Sequence, residues 1–399
     1  MILDNKTKPA FMTSLLAKRT ADIAPFYVME ILCRAKELES QGCDIIHMEI
    51  GEPDFPTQQT IIDAGIKHLQ TGDIKYTPAA GLPELREKIA AFYQTRYAVT
   101  VDKERIFVTP GASGAFLLAL GVSLNPGDEI LMADPCYPCN SNFIKLFEGK
   151  ATTLPVDATT NYQLTAKLIR QHWSPATKGV LLASPSNPTG TVVELQKLKK
   201  MLHAVKQLGG CFYSDEIYHG LVYGKSAHTA LEYADNVFVI NSFSKYFGMT
   251  GWRIGWLIVP DEFVEATEML AQNIFIATPT LSQYAALAAF DMLTLRELEK
   301  RRVEFSARRD YLYDALIKLG FEIPVKPDGA FYIYANCAKF TDDSYQFALE
   351  FLEAEGVAIT PGKDFGSYQA HHHLRFAYTT TIERMAVAMQ RLEHFISRI

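Results

Sequence analysis

Short apolar runs alternate with longer amphipathic stretches through the middle of this chain. The runs are rich in β-branched residues and bounded by turn residues, as buried strands are, and they span residues 106–109, 129–133, 179–183, 211–214 and 237–240. Between them, residues 114–124 and 193–208 show the apolar period of a helix. Strands that alternate with helices predict a mostly parallel sheet covered on both faces, which is an α/β architecture.

The pattern changes near residue 295. A long charged helix over residues 295–319 leads to an apolar strand at 331–334, a helix at 345–355, short strands and a closing helix. This order predicts a smaller α+β lobe. With 399 residues, the chain exceeds the usual limit for a single hydrophobic core, so we expect two cores or one large core with an appended lobe.

The composition argues against several classes of protein. Hydrophobic residues make up 48% and charged residues 21%, as in an ordinary globular protein. The formal charge of 39 − 45 = −6 disfavours a nucleic-acid-binding face, and no apolar run is long enough to span a membrane. The first residues lack the apolar core of a signal peptide, and the six cysteines suit reduced thiols, so we expect a cytoplasmic protein. The expected partners are small molecules or another subunit.

Two local patterns raise the question of a metal site. Cys136 and Cys139 form a C-x-x-C, but no second pair and no spaced histidine pair completes four ligands. His371, His372 and His373 would alternate between the faces of a strand and cannot all bind one ion. We therefore predict no metal.

Polar and aromatic residues follow the ends of the predicted strands, where ligands bind in an open α/β sheet. After the first strand, Gly111, Ala112 and Ser113 open a helix whose backbone N–H groups can bind a phosphate. This loop matches neither G-x-G-x-x-G nor G-x-S-x-G, so a dinucleotide or a serine nucleophile is not expected. Later loops supply an aromatic ring, an amide, a carboxylate and a phenol, from Tyr137, Asn187, Asp215 and Tyr218.

Residues 241–256 set Lys245 among hydroxyl side chains, with Arg253 eight positions later. A lysine becomes a nucleophile at neutral pH when its surroundings lower its pKa, and a Schiff base with an aldehyde is the main use of such an amine. Arginine offers a fork for an anion such as phosphate. Ser242 and Lys245 also match the S-x-x-K of penicillin-binding proteins, but the S-D-N and K-T-G motifs are absent, so serine acyl transfer is not expected.

Together these loops resemble the class I and II aminotransferases, the pyridoxal-phosphate enzymes of the aspartate aminotransferase fold. The resemblance covers nearly the whole chain, in the family's order and approximate spacing. Its motifs are Gly51-Glu52-Pro53-Asp54, Tyr76-Thr77-Pro78, Ser186-Asn187-Pro188-Thr189-Gly190, Asp215-Glu216-Ile217-Tyr218, Ser242-Phe243-Ser244-Lys245 and Leu374-Arg375-Phe376-Ala377. It implies a large cofactor-binding domain over residues 48–300, with a mostly parallel seven-stranded sheet flanked by helices. Residues 1–47 and 301–399 would form a smaller α+β domain, with an N-terminal segment over the active site.

The resemblance also implies a role for each site residue. Lys245 would form the Schiff base with pyridoxal 5'-phosphate and move the substrate proton, and Asp215 would pair with the pyridine nitrogen. Tyr137 would stack on the ring, while Tyr218 and Asn187 would donate to its phenolate oxygen. The phosphate would be held by Gly111, Ala112, Ser113, Ser242, Ser244 and Arg253. Arg375 would bind the substrate α-carboxylate, next to Asn187 and the backbone of Gly51.

The implied reaction moves the amino group of an L-amino acid to a 2-oxo acid. Aspartate specialists of the bacterial subgroup that this chain resembles often carry a lysine where Ser113 stands. We therefore expect a neutral or broad donor, such as alanine or a branched or aromatic amino acid, with aspartate as the alternative. β-Elimination or C–S cleavage on the same fold stays open as well.

Two further expectations concern the edges of the site. Phe26, in the segment over residues 23–26, would either wall the substrate side chain or only pack against the smaller lobe. Tyr76 would reach the phosphate of the neighbouring subunit, which implies a homodimer. A regulatory protein with an added DNA-binding domain is not expected, because the first strand-like segment comes before residue 50.

Overall fold

The computed structural model of the protein describes residues 16–23 and 26–398. Its helices are α1 (Tyr27–Ser40), α2 (Gln59–Thr71), α3 (Pro83–Tyr97), α4 (Gly111–Gly121), α5 (Pro138–Leu146), α6 (Ala166–His172), α7 (Leu195–Gln207), α8 (Val264–Ile274), α9 (Thr280–Leu287), α10 (Met292–Leu319), α11 (Ser344–Glu355) and α12 (Ile382–Ile396). Its strands are β1 (Ile46–His47), β2 (Ile106–Thr109), β3 (Glu129–Asp134), β4 (Lys150–Pro155), β5 (Thr177–Ala183), β6 (Cys211–Asp215), β7 (Val237–Ser242), β8 (Gly255–Ile258), β9 (Tyr332–Asn336), β10 (Val357–Ala358), β11 (Thr360–Pro361) and β12 (His373–Ala377).

Seven strands form the central sheet in the order β2-β8-β7-β6-β5-β3-β4. The pairs from β7 to β4 are parallel, whereas β8 is antiparallel to both of its neighbours, β2 and β7. β8 runs the other way because it follows β7 through a turn and not through a crossover helix. The mostly parallel seven-stranded α/β sheet is thereby confirmed.

All five strands predicted from apolar runs lie in this sheet. β2, β7 and β8 are buried along their whole length, which explains why their sequences are almost continuously apolar. Three strands continue one or two residues beyond the predicted runs, and these additions include Asp134, Asp215 and Ser242. Polar residues thus extend the strands at their carboxyl ends, where the apolar pattern has already stopped.

The remaining strands belong to a smaller lobe. β9, β11 and β12 form an antiparallel sheet in the order β11-β12-β9, and β1 from the N-terminal part pairs in parallel with β10. Elements from both ends of the chain therefore meet here. The 28-residue helix α10 runs through residue 300, so the boundary at that residue falls within a continuous helix and stays a prediction. Among the described residues, no helix combines the length and apolar character needed to cross a membrane.

Candidate active site

A cavity of about 810 Å³ lies at the carboxyl ends of the parallel strands and is closed on one side by the smaller lobe. It collects most of the predicted site residues, namely Phe26, Gly51, Ala112, Ser113, Tyr137, Asn187, Asp215, Tyr218, Ser242, Ser244, Lys245, Arg253 and Arg375. Gly111 lies directly behind the cavity wall, against the Arg253 guanidinium. Tyr76 is the exception, because it is on the surface and 81% exposed.

Lys245 follows β7 in the turn that leads to β8. Its Nζ donates a hydrogen bond to the backbone oxygen of Gly51, at 2.7 Å. Burial is the largest cause that lowers the pKa of the Lys245 amine; with the opposing charge of Glu52 and the positive charges of Arg375 and Arg253 included, that pKa is about 8. A substantial fraction of the amine is therefore uncharged, and nucleophilic, near pH 8.

Asp215 ends β6 and is 4% exposed. Its carboxylate accepts a hydrogen bond from the backbone N–H of Ile217 at 3.2 Å, and burial raises its pKa to about 7. The Asn140 amide is close enough to lower that pKa slightly, yet neither of its polar atoms makes a well-formed hydrogen bond within the described residues. A buried carboxylate with an unsatisfied amide beside it suits a ligand that brings a cationic N–H group.

Aromatic side chains line the middle of the cavity. The hydroxyl groups of Tyr218 and Tyr332 share a hydrogen bond of 2.8 Å, and burial raises the pKa of the Tyr218 phenol well above its usual value, so it stays a neutral donor. Tyr137 precedes α5 and stands edge-on to Phe26, with ring centroids 6.2 Å apart. A flat heterocycle in this space would have aromatic neighbours and a phenol donor.

An anion-binding cradle lies at the start of α4. Gly111 has a positive φ of 70°, and a Cβ there would come within 2.6 Å of the Arg253 Nη2 atom. Arg253 itself has a φ of 52°, and its Nη1 donates to the Thr250 oxygen at 3.0 Å. Ser242 accepts from the Ser244 backbone N–H at 3.0 Å, which keeps both serines at this end of the cavity. The helix N-terminus, the two hydroxyls and the guanidinium together suit a phosphate group.

A second anion site surrounds Arg375 on β12, which is 3% exposed. Its guanidinium lies between two rings, 4.3 Å from the Tyr332 centroid and 4.9 Å from that of Phe365. It donates to the Asn187 Oδ1 at 2.9 Å, to the Thr360 hydroxyl at 3.1 Å and to the Glu49 backbone oxygen. The buried Nε finds no partner in the described part of the chain. The side chain is held rigidly and retains a donor for a carboxylate.

These residues fit pyridoxal phosphate. The site offers one amine of lowered pKa, one buried carboxylate, aromatic walls and a phosphate cradle made possible by the missing side chain at Gly111. Arg375 lies apart from that cradle and is available for a substrate carboxylate. The individual roles assigned from the sequence stay predictions.

Sequence reasoning did not single out four residues of this site: Asn140, Tyr332, Thr360 and Phe365. Asn140 lies three positions after Tyr137, one helical turn along α5, and that spacing was an available signal. Tyr332 belongs to a run that was recognised only as a strand. Thr360 and Phe365 depend on how the smaller lobe folds back on β12, for which the local pattern holds no signal.

Comparisons with known proteins agree with this geometry. Residues 43–392 match the family model described as aminotransferase class I and II. A (5-formylfuran-3-yl)methyl phosphate transaminase of Methanocaldococcus jannaschii is 38% identical over 96% of this chain and 100% of its own length. A valine–pyruvate aminotransferase of Mycobacterium tuberculosis is 36% identical, with 96% and 98% covered. The crystal structure of an aspartate aminotransferase from Thermotoga maritima superposes with a TM-score of 0.90 at 31% identity, covering 96% of this chain and 100% of that one. The protein therefore belongs to the class I and II aminotransferases, and it is a transaminase that uses pyridoxal phosphate.

Proposed function

We propose that this enzyme transfers the amino group of an L-amino acid with a neutral side chain to a 2-oxo acid by ping-pong chemistry. The observation that carries the proposal is the charge of the cavity. Among the described residues that line it, the cations are Lys245, Arg253 and Arg375, and each has a task common to all substrates of the family. No cation in that lining is left for a second substrate carboxylate.

The wall beside Arg375 supports the same donor class. Phe26, Val28, Met29, Tyr137 and Phe143 give the cavity an apolar side, where an alkyl or aromatic side chain gains by burial. Glu52 also lines the cavity, and its carboxylate would repel an acidic side chain. Ser113 stands at the position where a lysine could have bound the carboxylate of an acidic side chain.

Each polar residue has a defined task in the proposed reaction. Bound pyridoxal phosphate supplies an aldehyde carbon and a ring that accepts electrons. Lys245 provides the amine that attaches to the cofactor and afterwards holds and returns the substrate proton. Asp215 offers its negative charge to a cationic ring nitrogen. Arg375 orients the substrate α-carboxylate so that the proton to be moved faces the Lys245 amine.

A panel of amino donors tests the proposal, with pyruvate and 2-oxoglutarate as acceptors. We expect the highest kcat/KM for alanine or for a branched or aromatic amino acid. Aspartate is the second candidate, favoured by the Thermotoga maritima relative, which is named as an aspartate aminotransferase. Exclusive turnover of aspartate would show that the charge argument is wrong and that its second carboxylate is bound by other means.

The homodimer belongs to the same proposal. Tyr76 is 81% exposed, and Ile66, Leu69 and Ile74 are further large apolar side chains left open to solvent in the same part of the chain. Exposed apolar side chains at this density support a protein interface here. Tyr76 would contact the cofactor phosphate of the partner subunit, and full activity in a stable monomer would contradict that role.

The proposed location is the cytoplasm. All six cysteines are free thiols, as expected in a reducing compartment. Fractionation of cells that produce the protein would test this placement, and recovery outside the cytoplasm would refute it.

A further inference from the structure

Asp364 makes a connection that the active-site roles above do not use. It lies in the short 3₁₀ turn Gly362–Asp364 of the smaller lobe and is 6% exposed. Its two carboxylate oxygens accept hydrogen bonds from the backbone N–H groups of Tyr27 and Val28, both at 2.8 Å. These are the first two N–H groups of α1, which have no partner within their own helix. Asp364 therefore caps α1 from a distant part of the sequence, with a buried charge-assisted contact.

The capped end of α1 forms part of the cavity wall. Phe26, Val28 and Met29 all line the cavity, and the Phe26 ring meets the edge of Tyr137. Phe26 immediately precedes the helix, and its backbone oxygen accepts from the Met29 N–H at 2.9 Å. The position of this apolar wall thus depends on where the first turn of α1 is held.

The same loop also contacts the arginine that binds the carboxylate. Phe365, the next residue after Asp364, packs its ring against the Arg375 guanidinium at 4.9 Å. One short segment therefore contacts both the arginine proposed to hold the α-carboxylate of a donor and the wall proposed to meet its side chain.

The preceding part of the N-terminal segment is attached more weakly. The 3₁₀ turn Lys18–Asp22 rests on the opposite lobe, where Arg19 pairs with Glu148 at 3.2 Å and Lys145 donates to the Asp22 oxygen at 2.7 Å. These contacts are exposed, and exposed ion pairs contribute little to stability. Asp364 supplies a buried polar attachment at the start of α1, beside the packing of Val28 and Ile31, so we expect its loss to loosen the segment.

We propose that Asp364 is a positioning residue that determines how well this enzyme accepts neutral donors with large side chains, by holding Phe26 and Val28 against the substrate side chain. The proposal rests on the proposed function in one respect, namely the neutral donor. It adds that selectivity depends on a residue that touches neither the cofactor nor the substrate.

The test compares Asp364→Ala and Asp364→Asn with the unaltered holoenzyme, using alanine and phenylalanine as donors. Loss of both hydrogen bonds is expected to reduce kcat/KM for phenylalanine by about tenfold or more, mainly through KM, while alanine changes far less because its methyl group does not reach the wall. Asp364→Asn keeps one acceptor oxygen and should fall between. This second variant keeps the proposal testable if the alanine variant does not fold.

Thr381→Ala provides the matched control. Thr381 also caps a helix of the smaller lobe, accepting from the Arg384 backbone N–H at 3.3 Å, and it is absent from the cavity lining. This variant loses one exposed cap hydrogen bond, so it should lose less stability than Asp364→Ala and leave the ratio of phenylalanine to alanine kcat/KM unchanged. An equal loss for both donors in Asp364→Ala would overturn the proposal.

Limited trypsin digestion supplies a readout that is independent of donors. Cleavage after Arg19, identified from a fragment that begins at Thr20, should be faster in Asp364→Ala than in either the unaltered enzyme or Thr381→Ala. An unchanged cleavage rate would refute the anchoring role. If no neutral donor is turned over by the unaltered enzyme, the proposed function fails, and the digestion still decides whether Asp364 anchors the segment.

Discussion

Replacing Gly111 by alanine should selectively weaken the binding of the cofactor phosphate. A Cβ at this position would lie 2.6 Å from the Arg253 Nη2 atom, well inside the distance at which nonbonded atoms touch. One exposed hydrogen bond to the Thr250 oxygen holds Arg253 in the cradle, so its guanidinium can yield to the added Cβ by moving. The guanidinium must therefore turn away from the place where the phosphate is bound.

Two energies follow from the structure. The φ of 70° at Gly111 is left-handed, and an alanine there costs about 1 kcal/mol of folding stability. Displacing the guanidinium removes a hydrogen bond between charged groups, which contributes about 1.5–3 kcal/mol. Because about 1.4 kcal/mol corresponds to a factor of ten, the dissociation constant of pyridoxal phosphate should rise by roughly 10- to 100-fold.

The assay is a titration of the cofactor-free enzyme with pyridoxal phosphate, followed by the visible absorbance of the bound cofactor. Pyridoxal, which lacks the phosphate, should bind Gly111→Ala and the unaltered enzyme equally well. Gly127→Ala measures the cost of left-handed backbone strain alone, since Gly127 has a φ of 89° and a Cβ there would have no neighbour within 4 Å. That control should lose stability and keep its affinity for the cofactor. Equal weakening of pyridoxal and pyridoxal phosphate in Gly111→Ala would refute the reasoning.

Three further predictions concern the polar side chains of the cavity. Lys245→Ala should still bind pyridoxal phosphate weakly through the cradle but should not transaminate, and turnover in that variant would overturn the assignment. Arg375→Lys keeps the charge but loses the fork between the Tyr332 and Phe365 rings, so KM for every donor should rise by roughly 10- to 100-fold with unchanged cofactor affinity. In cofactor-free enzyme, the reaction of Lys245 with a small aldehyde should increase with pH around a midpoint of about 8. Glu52→Gln should move that midpoint to lower pH, because the Glu52 charge raises the pKa of Lys245. An unmoved midpoint would contradict this effect of Glu52.

The sheet was predictable because its strands are buried on both faces. Such strands require near-continuous apolar runs, as β2 and β7 show, and little else in a sequence has that appearance. The edge strand β4 is different, since its residues are mostly half-buried or exposed and its sequence, KATTLP, lacks an apolar run. Local patterns thus indicate the centre of the sheet better than its edge.

Part of the candidate site was predictable for a related reason. The loops after parallel strands converge at one edge of a sheet, so Asp215, Asn187 and Lys245 could be expected to meet from their positions alone. The contribution of the smaller lobe could not be derived in this way. Arg375 pairs in register with Tyr334 and contacts Tyr332, and that register is set by contacts between segments about 40 residues apart in the sequence. The role proposed for Tyr76 needs a second subunit, and in the single chain this residue is exposed.

The roles proposed for the charged residues of the cavity indicate which contacts must determine donor selectivity. In the proposed assignment, Arg253 and Arg375 each bind an anion that every substrate complex contains, and both charges lower the pKa of Lys245 in the absence of those anions. Once a phosphate and a carboxylate are bound, those positive charges are neutralised, and Lys245 holds a proton more readily. The two arginines therefore first favour the uncharged Lys245 amine, which can bond to the cofactor, and later favour the protonated amine. This holds for any amino acid donor. Because this machinery cannot distinguish one donor from another, the choice must come from contacts beyond the α-carbon, and the apolar wall held by Asp364 provides them.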